Sequence, residues 1–271
     1  MITGLTENLP DYVERPALPG PAGREGYGRI DFEVLPNTRD LGELVGADGR
    51  RVKPGLLLRS GALGFASDGD LARLRDDYHL SLIVDLRNDI ELSELPDPVR
   101  YFPGVRYVHA NILPEEAAGI TQERATKATV AMQKAQASQN PDAFMEAFYP
   151  FILAGPGGLE GYRQFFEALL ACEEGAALWH CSVGRDRCGM ASMLVEWVLG
   201  VSWDQIESDY LATNLFAPLE YSIDFAARMA ALNSAVRFLK REYGGIDGYL
   251  KQALGVTEDD RATLRNRYLE K

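Results

Sequence analysis

The sequence predicts one α/β domain whose second half is helical. Two observations carry this expectation. Strand-like runs concentrate between residues 31 and 112, while helical periodicity dominates from residue 144 onward. One late strand, Ala176 to His180, passes through a short polar loop into an apolar helix, Met190 to Leu199. At 271 residues and 46% hydrophobic content, a packed core is expected.

Residues 1 to 30 carry Pro10, Pro16, Pro19 and Pro21 among several glycines, and read as an extended N-terminal arm. Residues 31 to 271 form the single domain. Asp31 to Leu35 reads as a short strand, and Asp48-Gly49 as a hairpin turn. Leu56 to Leu58 is a short buried strand. Ser67 with Asp70 marks a helix start. Ser81 to Leu86 has a strong buried-strand pattern, whereas Val105 to Ile112 alternates like an edge strand.

Residues 114 to 139 are rich in Ala, Gln, Thr and charge, with a thin stripe at Ala125, Ala128, Met132 and Ala135. The stretch from about 114 to 152 is a candidate helical lid, since a lid must detach. An ordinary surface helical pair is the alternative. Phe144 to Leu153 and Leu159 to Leu170 are amphipathic helices. Gly200 caps the apolar helix, and Ser202 with Gln205 forms a capping box for the next. Helices then follow at Ile206 to Leu211, Ile223 to Leu239, Ile246 to Leu254 and Asp259 to Leu269, the last started by Thr257 and Asp260.

The formal charge is −12, from 40 acidic and 28 basic residues, which argues against broad nucleic-acid or anionic-membrane binding. Three cysteines, Cys172, Cys181 and Cys188, make no disulfide framework. No signal-peptide pattern or apolar run of about 18 residues is present. A soluble cytoplasmic protein without a transmembrane segment is expected. No Cys/His cluster has metal-ligand spacing, so neither metal nor cofactor is predicted.

Residues 180 to 189 read His-Cys-Ser-Val-Gly-Arg-Asp-Arg-Cys-Gly. The loop lies between a strand and a helix N-terminus, where main-chain N–H groups of residues 182 to 187 can form an anion-binding nest. Ser182, Val183, Gly184 and Arg185 are candidate phosphate-binding residues. Gly184 relieves the turn. Arg187 can bind two phosphate oxygens with its planar fork and favours a thiolate on Cys181. A thiolate against a bound phosphoryl group is a nucleophile placed for in-line attack. His180 organises the loop by hydrogen bonding.

The segment resembles the phosphate loop of cysteine-dependent protein tyrosine phosphatases, in particular an atypical bacterial branch reading His-Cys-x-x-Gly-Lys-Asp-Arg-Thr-Gly. Asn37-Thr38-Arg39-Asp40-Leu41-Gly42, Pro54 to Ser60, Asp85-Leu86-Arg87 with Glu91, and Gly245 to Leu254 are also similar to family segments. The resemblance spans roughly residues 31 to 269. It implies a central, mostly parallel sheet surrounded by helices, and a metal-free hydrolase working through a cysteinyl-phosphate. Substrates of such enzymes include phosphotyrosine, phosphoserine/threonine (dual specificity) and phosphoinositides.

Two positions depart from that pattern. The family Lys is Arg185 here, and the Thr after the arginine is Cys188. A thiol is a weaker donor than a hydroxyl, which predicts slower release of phosphate from Cys181. Cys188 is either a resolving thiol for oxidised Cys181 or a small buried residue.

A general acid must protonate the leaving group. Asp186 is the first choice, because the bacterial branch places an acid there; pairing with an arginine is its alternative role. Asp85 is the second choice, with a structural pair to Arg87 or Arg59 as alternative. Asp142 is a third candidate or a helix cap. Arg39, Asp40 and Arg59 surround the loop, either touching substrate or forming a buried brace. The predicted activity is phosphotyrosine hydrolysis. A phosphoinositide phosphatase, a phosphate-binding module without turnover, and sulfur or arsenate redox chemistry are the alternatives.

Overall fold

The computed structural model describes residues 13–17, 24–113, 141–217 and 226–271. A five-stranded sheet has the order β1-β2-β5-β3-β4. Its strands are β1 (Arg39–Asp40), β2 (Leu57–Ser60), β3 (Leu80–Asp85), β4 (Arg106–His109) and β5 (Ala176–His180). Only β1 runs antiparallel; β2, β5, β3 and β4 pair in parallel. Ser60 and Asp85 both stand opposite His180. Three parallel strands therefore end at one level, and the loop after His180 leaves from that carboxyl edge, where open α/β sheets place ligands.

Side-chain alternation divides the strands between two cores. Leu58, Ile83 and Leu178 pack with Leu71 and Leu74 of helix α1 (Asp68–Asp76). Leu57, Leu82, Val84, Ala177 and Trp179 face the larger core on the opposite side. That side is covered by α3 (Pro141–Ala154), α4 (Pro156–Ala171), α5 (Asp186–Val198), α6 (Trp203–Phe216), α7 (Met229–Tyr243), α8 (Ile246–Gln252) and α9 (Glu258–Tyr268). Helix α2 (Asp89–Glu94) follows β3. Helix α5 is buried nearly all round, Arg187, Ser192 and Glu196 included, as its mostly apolar run from Met190 to Val195 leads one to expect. Trp179 meets Phe165 edge to face at 5.5 Å, locking β5 to α4.

The predicted helix starts at Ser67 and Thr257 both carry complete capping boxes. Two local expectations need correction. Residues 31 to 35 are not a strand: the amides of Glu33, Val34 and Leu35 donate to the Asp70 carboxylate instead of a neighbouring strand. Ser202 Oγ accepts from no main-chain N–H of α6 and takes the Gln205 side-chain Nε2 at 2.9 Å, so the predicted box is incomplete. Gln205 also reaches Val45, accepting its N–H and donating to its carbonyl, and so ties α6 to the turn before β2.

The described part of residues 1 to 30 lies against the domain. Tyr27 is fully buried, and Arg24 is buried beside Asp209. Residues 114 to 140 of the candidate lid lie outside the described residues, as does the Asp142 side chain. In the remainder, Met145, Tyr149 and Ile152 sit in the main core. Among the described residues, no helix is long and apolar enough to cross a membrane.

Candidate active site

The loop from Cys181 to Arg185 joins β5 to α5. Three of its carbonyls are pulled outward. Ser182 O accepts from Ala62 N at 3.1 Å. Val183 O and Gly184 O both accept from Asn37 Nδ2 at 3.0 Å, and Gly184 O accepts from Arg59 Nη2 at 2.7 Å. In a planar trans peptide the N–H points opposite its carbonyl. The amides that follow these carbonyls therefore turn toward the other side of the loop. Among the described residues, the N–H groups of Ser182, Val183, Gly184, Asp186 and Arg187 donate to no acceptor. The arrangement is a nest at the N-terminus of a helix, able to hold an oxyanion. Gly184 has φ +69°, and a Cβ there would lie 2.5 Å from the carbonyl oxygen of Ser60.

Cys181 lies at the floor of this loop, 2% exposed, below the half-buried Ser182, Val183, Arg185 and Asp186. Arg187, from the first turn of α5, is buried and aimed by Glu91. Nη1 donates to Oε2 at 2.5 Å and Nη2 to Oε1 at 2.7 Å. Ser182 Oγ also donates to Glu91 Oε1. Burial opposes a charge on Glu91, but Arg187 outweighs it and brings the carboxyl down to about 2. Glu91 is also the N3 residue of a capping box with Asn88, at the start of α2. The helix cap thus sets the arginine. The spacing Asn88-x-x-Glu91 is a sequence signature for this box.

His180 and Asp85 form a second group under the loop. His180 Nε2 lies 2.9 Å from Asp97 Oδ2, and Arg87 donates to Asp85 Oδ2 at 2.7 Å and Asp97 Oδ1 at 2.9 Å. Tyr107 Oη adds a bond to Asp85 at 3.0 Å. Burial disfavours ionisation of Asp85, yet His180 and Arg87 overcome it and hold the carboxyl well below its ordinary range. Burial likewise disfavours His180 charging, and Asp97 and Asp85 raise its pKa. A fully buried, ionised Asp85 bonded to Arg87 has no proton to give at neutral pH. The pair with Arg87 replaces the second-choice acid role. Asp85, Asp97 and His180 place ligand atoms within 4.8 Å of one another. Arg87 already bonds both carboxylates, however, so the set is poorly suited to a metal.

Arg39 and Arg59 lie behind the loop, fully buried. Both meet Asp209 of α6, Arg59 Nη1 at 2.6 Å and Arg39 Nε at 3.3 Å. Asp209 is held well below its ordinary range: burial opposes its charge, and Arg39, Arg59 and Arg24 overcome that. Arg39 also bonds Asn37, which anchors the loop carbonyls. Asp40 accepts from Gly42 N at 2.8 Å and Gly55 N at 2.6 Å, and so shapes the turn into β2. The expectation of substrate contact gives way to the Asp209 brace for Arg39 and Arg59, and to anchoring of the turn before β2 for Asp40. No local sequence pattern marks Asp209 or Asp97.

At the rim, Arg185 grips Asp186 with Nε to Oδ1 at 2.9 Å and Nη2 to Oδ2 at 3.0 Å. Asp186 keeps 15% of its side chain exposed. Cys188, one turn into α5, is fully buried and its thiol donates to Trp179 O at 3.6 Å. Burial pushes that thiol up to about 12.

Residues 30–270 match the sequence profile of the tyrosine phosphatase family. The chain belongs to that family. It is 32% identical over 276 residues to a Cupriavidus necator protein named "Putative tyrosine-protein phosphatase", covering 94% of this chain and 93% of the relative. It is 24% identical over 251 residues to a protein of Nostoc commune named "Tyrosine-protein phosphatase", covering 79% and 80%. The α/β architecture with its mostly parallel sheet agrees with this membership. The phosphatase thus carries its loop on the carboxyl edge of the sheet, between two buried charge clusters.

Proposed function

We propose that this phosphatase hydrolyses phosphotyrosine through a cysteinyl-phosphate on Cys181. The observation that carries the reading is the loop itself: outward carbonyls, inward amides, and Arg187 aimed by Glu91 at the mouth of α5. The amides and Arg187, through the Nε edge that Glu91 does not occupy, bind the phosphoryl oxygens, Cys181 Sγ attacks phosphorus, and the same donors meet the redistributed charge of the transition state. Asp186, the partly exposed acid on the rim, protonates the leaving oxygen. Water then frees Cys181. Glu91 and the Asp209 brace act through other residues.

Phosphotyrosine is favoured over phosphoinositides by two features. Arg185, the extra cation of this loop, has its fork engaged by Asp186, so it is not poised for a second phosphate. The net charge of −12 also disfavours an anionic membrane surface. The names of both relatives point the same way. The test is turnover of a phosphotyrosine peptide beside soluble phosphoinositide headgroups, with wild type and Cys181→Ser. Faster turnover of the peptide, abolished in the variant, is expected. Preference for the headgroups refutes the substrate assignment, and phosphate binding without any turnover refutes the enzymatic one.

A further inference from the structure

Helix α3 reaches the rim of the site through one hydroxyl. Tyr149 Oη donates to Asp186 Oδ1 at 2.8 Å, and Tyr210 Oη of α6 lies 2.6 Å behind it. The main-chain N–H of Arg228 donates to Tyr210 Oη at 3.4 Å. A phenol has one proton to give. Tyr149 gives its proton to Asp186, so its oxygen accepts from Tyr210, whose own oxygen takes the Arg228 amide. The chain therefore has a direction, ending on Asp186.

Both rings are buried, and they meet edge to face with centroids 6.2 Å apart. Neither hydroxyl can be re-aimed without repacking. Burial, then the nearby Asp186 charge, holds the Tyr149 phenol well above its ordinary pKa, and Tyr210 is raised for the same reasons. Both stay protonated donors at any pH used to assay a phosphatase. Arg185 and Arg187 are the other charged groups that act on Asp186.

The two oxygens of Asp186 are consequently unlike. Oδ1 takes Tyr149 and Arg185 Nε, whereas Oδ2 takes only Arg185 Nη2 among the described residues. We infer that Tyr149, backed by Tyr210, is a positioning residue that keeps Oδ1 an acceptor and assigns the catalytic proton to Oδ2. The inference rests on Asp186 being the acid proposed above. In the first step the Cys181 S–P bond forms and the P–O bond to the leaving group breaks. The electron pair stays on the leaving oxygen, which takes the proton from Oδ2. The carboxylate left behind is met by the same Tyr149 and Arg185 donors. In the second step Oδ2 takes a proton from the attacking water, whose oxygen bonds phosphorus as the S–P bond breaks.

The test is kcat/KM against pH for Tyr149→Phe and Asp186→Asn, using aryl phosphates whose phenols run from strongly to weakly acidic. For Tyr149→Phe, the loss is expected to be about tenfold with the weakly acidic phenol and under about twofold with the strongly acidic one. The dependence of rate on leaving-group acidity is therefore expected to steepen in the variant. Tyr149→Phe combined with Tyr210→Phe is expected to add no further loss. Equal losses on all esters overturn the inference, leaving a packing role. If Asp186→Asn steepens the leaving-group dependence while Tyr149→Phe matches wild type, only this inference fails. If Asp186→Asn leaves that dependence unchanged, the acid assignment fails and this inference with it.

Discussion

Arg187 and Glu91 lie fork to fork, with two parallel bonds of 2.5 and 2.7 Å between side chains 96 residues apart. Glu91 is in turn fixed by the cap of α2, where Asn88 N donates to Oε2 at 3.0 Å. The direction of the Arg187 guanidinium is therefore set by the start of the helix that follows β3. Bidentate pairs of this kind supply geometry as well as energy.

Glu91→Gln removes the charge and half of the fork match. A guanidinium misplaced by about 1 Å costs on the order of 10²-fold in rate. The expected result is a loss of that size in kcat/KM, with the far-ultraviolet circular dichroism of the folded protein retained. Activity equal to wild type would show that Arg187 needs no such support.

The depressed carboxyls also set the acid limb of stability. The folded pKa of Glu91 is about 2, below its ordinary 4.5. Its contribution is complete above the ordinary value and is lost as pH falls through the folded one. Asp85 and Asp209 are shifted in the same direction. His180 has the opposite sign: its raised pKa contributes below the ordinary imidazole value and is lost as pH rises through the folded one. Urea midpoints are expected to fall as pH drops from about 4.5 toward about 2, and Glu91→Gln is expected to flatten that fall. An identical acid limb in the variant would contradict the ion-pair account.

Much of this arrangement was legible in the sequence, and the exceptions have physical causes. The loop residues 180 to 189 and the capping boxes at Ser67 and Thr257 are local patterns visible in the spacing, although the same spacing at Ser202 forms no complete box. The segment 31 to 35 has strand-like composition, yet one distant carboxylate, Asp70, takes the amides a strand would have paired. Arg39 and Arg59 are recognisable as neighbours of the loop. Their partner Asp209 lies 170 residues from Arg39 and 150 from Arg59 and carries no motif, so the sequence leaves brace and substrate contact undecided. Tyr149 likewise reads as one more aromatic on an amphipathic helix.

Asp209 is the carboxylate shared by Arg39 and Arg59, all three buried. Asp209→Asn leaves Arg39, Arg59 and the neighbouring Arg24 buried with their main counter-charge gone. A destabilisation of about 3–5 kcal/mol is expected, because the remaining charges stay buried. Chemical denaturation at neutral pH measures it. A change under about 1 kcal/mol would match an exposed pair instead.

Cys188 has its thiol on the Trp179 carbonyl and burial lifts it to about 12. A neutral, enclosed thiol is a poor nucleophile. Alkylation of the native protein at neutral pH is expected to spare Cys188 until the chain is unfolded, and peroxide is expected to yield no Cys181–Cys188 disulfide. Recovery of that disulfide by peptide mass spectrometry would restore the resolving role for Cys188.

Rapid acid quench during turnover of a phosphotyrosine peptide, followed by peptide mapping, asks where phosphorus goes. A phosphoryl group is expected on the peptide holding Cys181, absent from Cys181→Ser along with turnover. Undiminished hydrolysis by Cys181→Ser, or a phosphoryl group recovered on a different side chain, would contradict the Cys181 assignment.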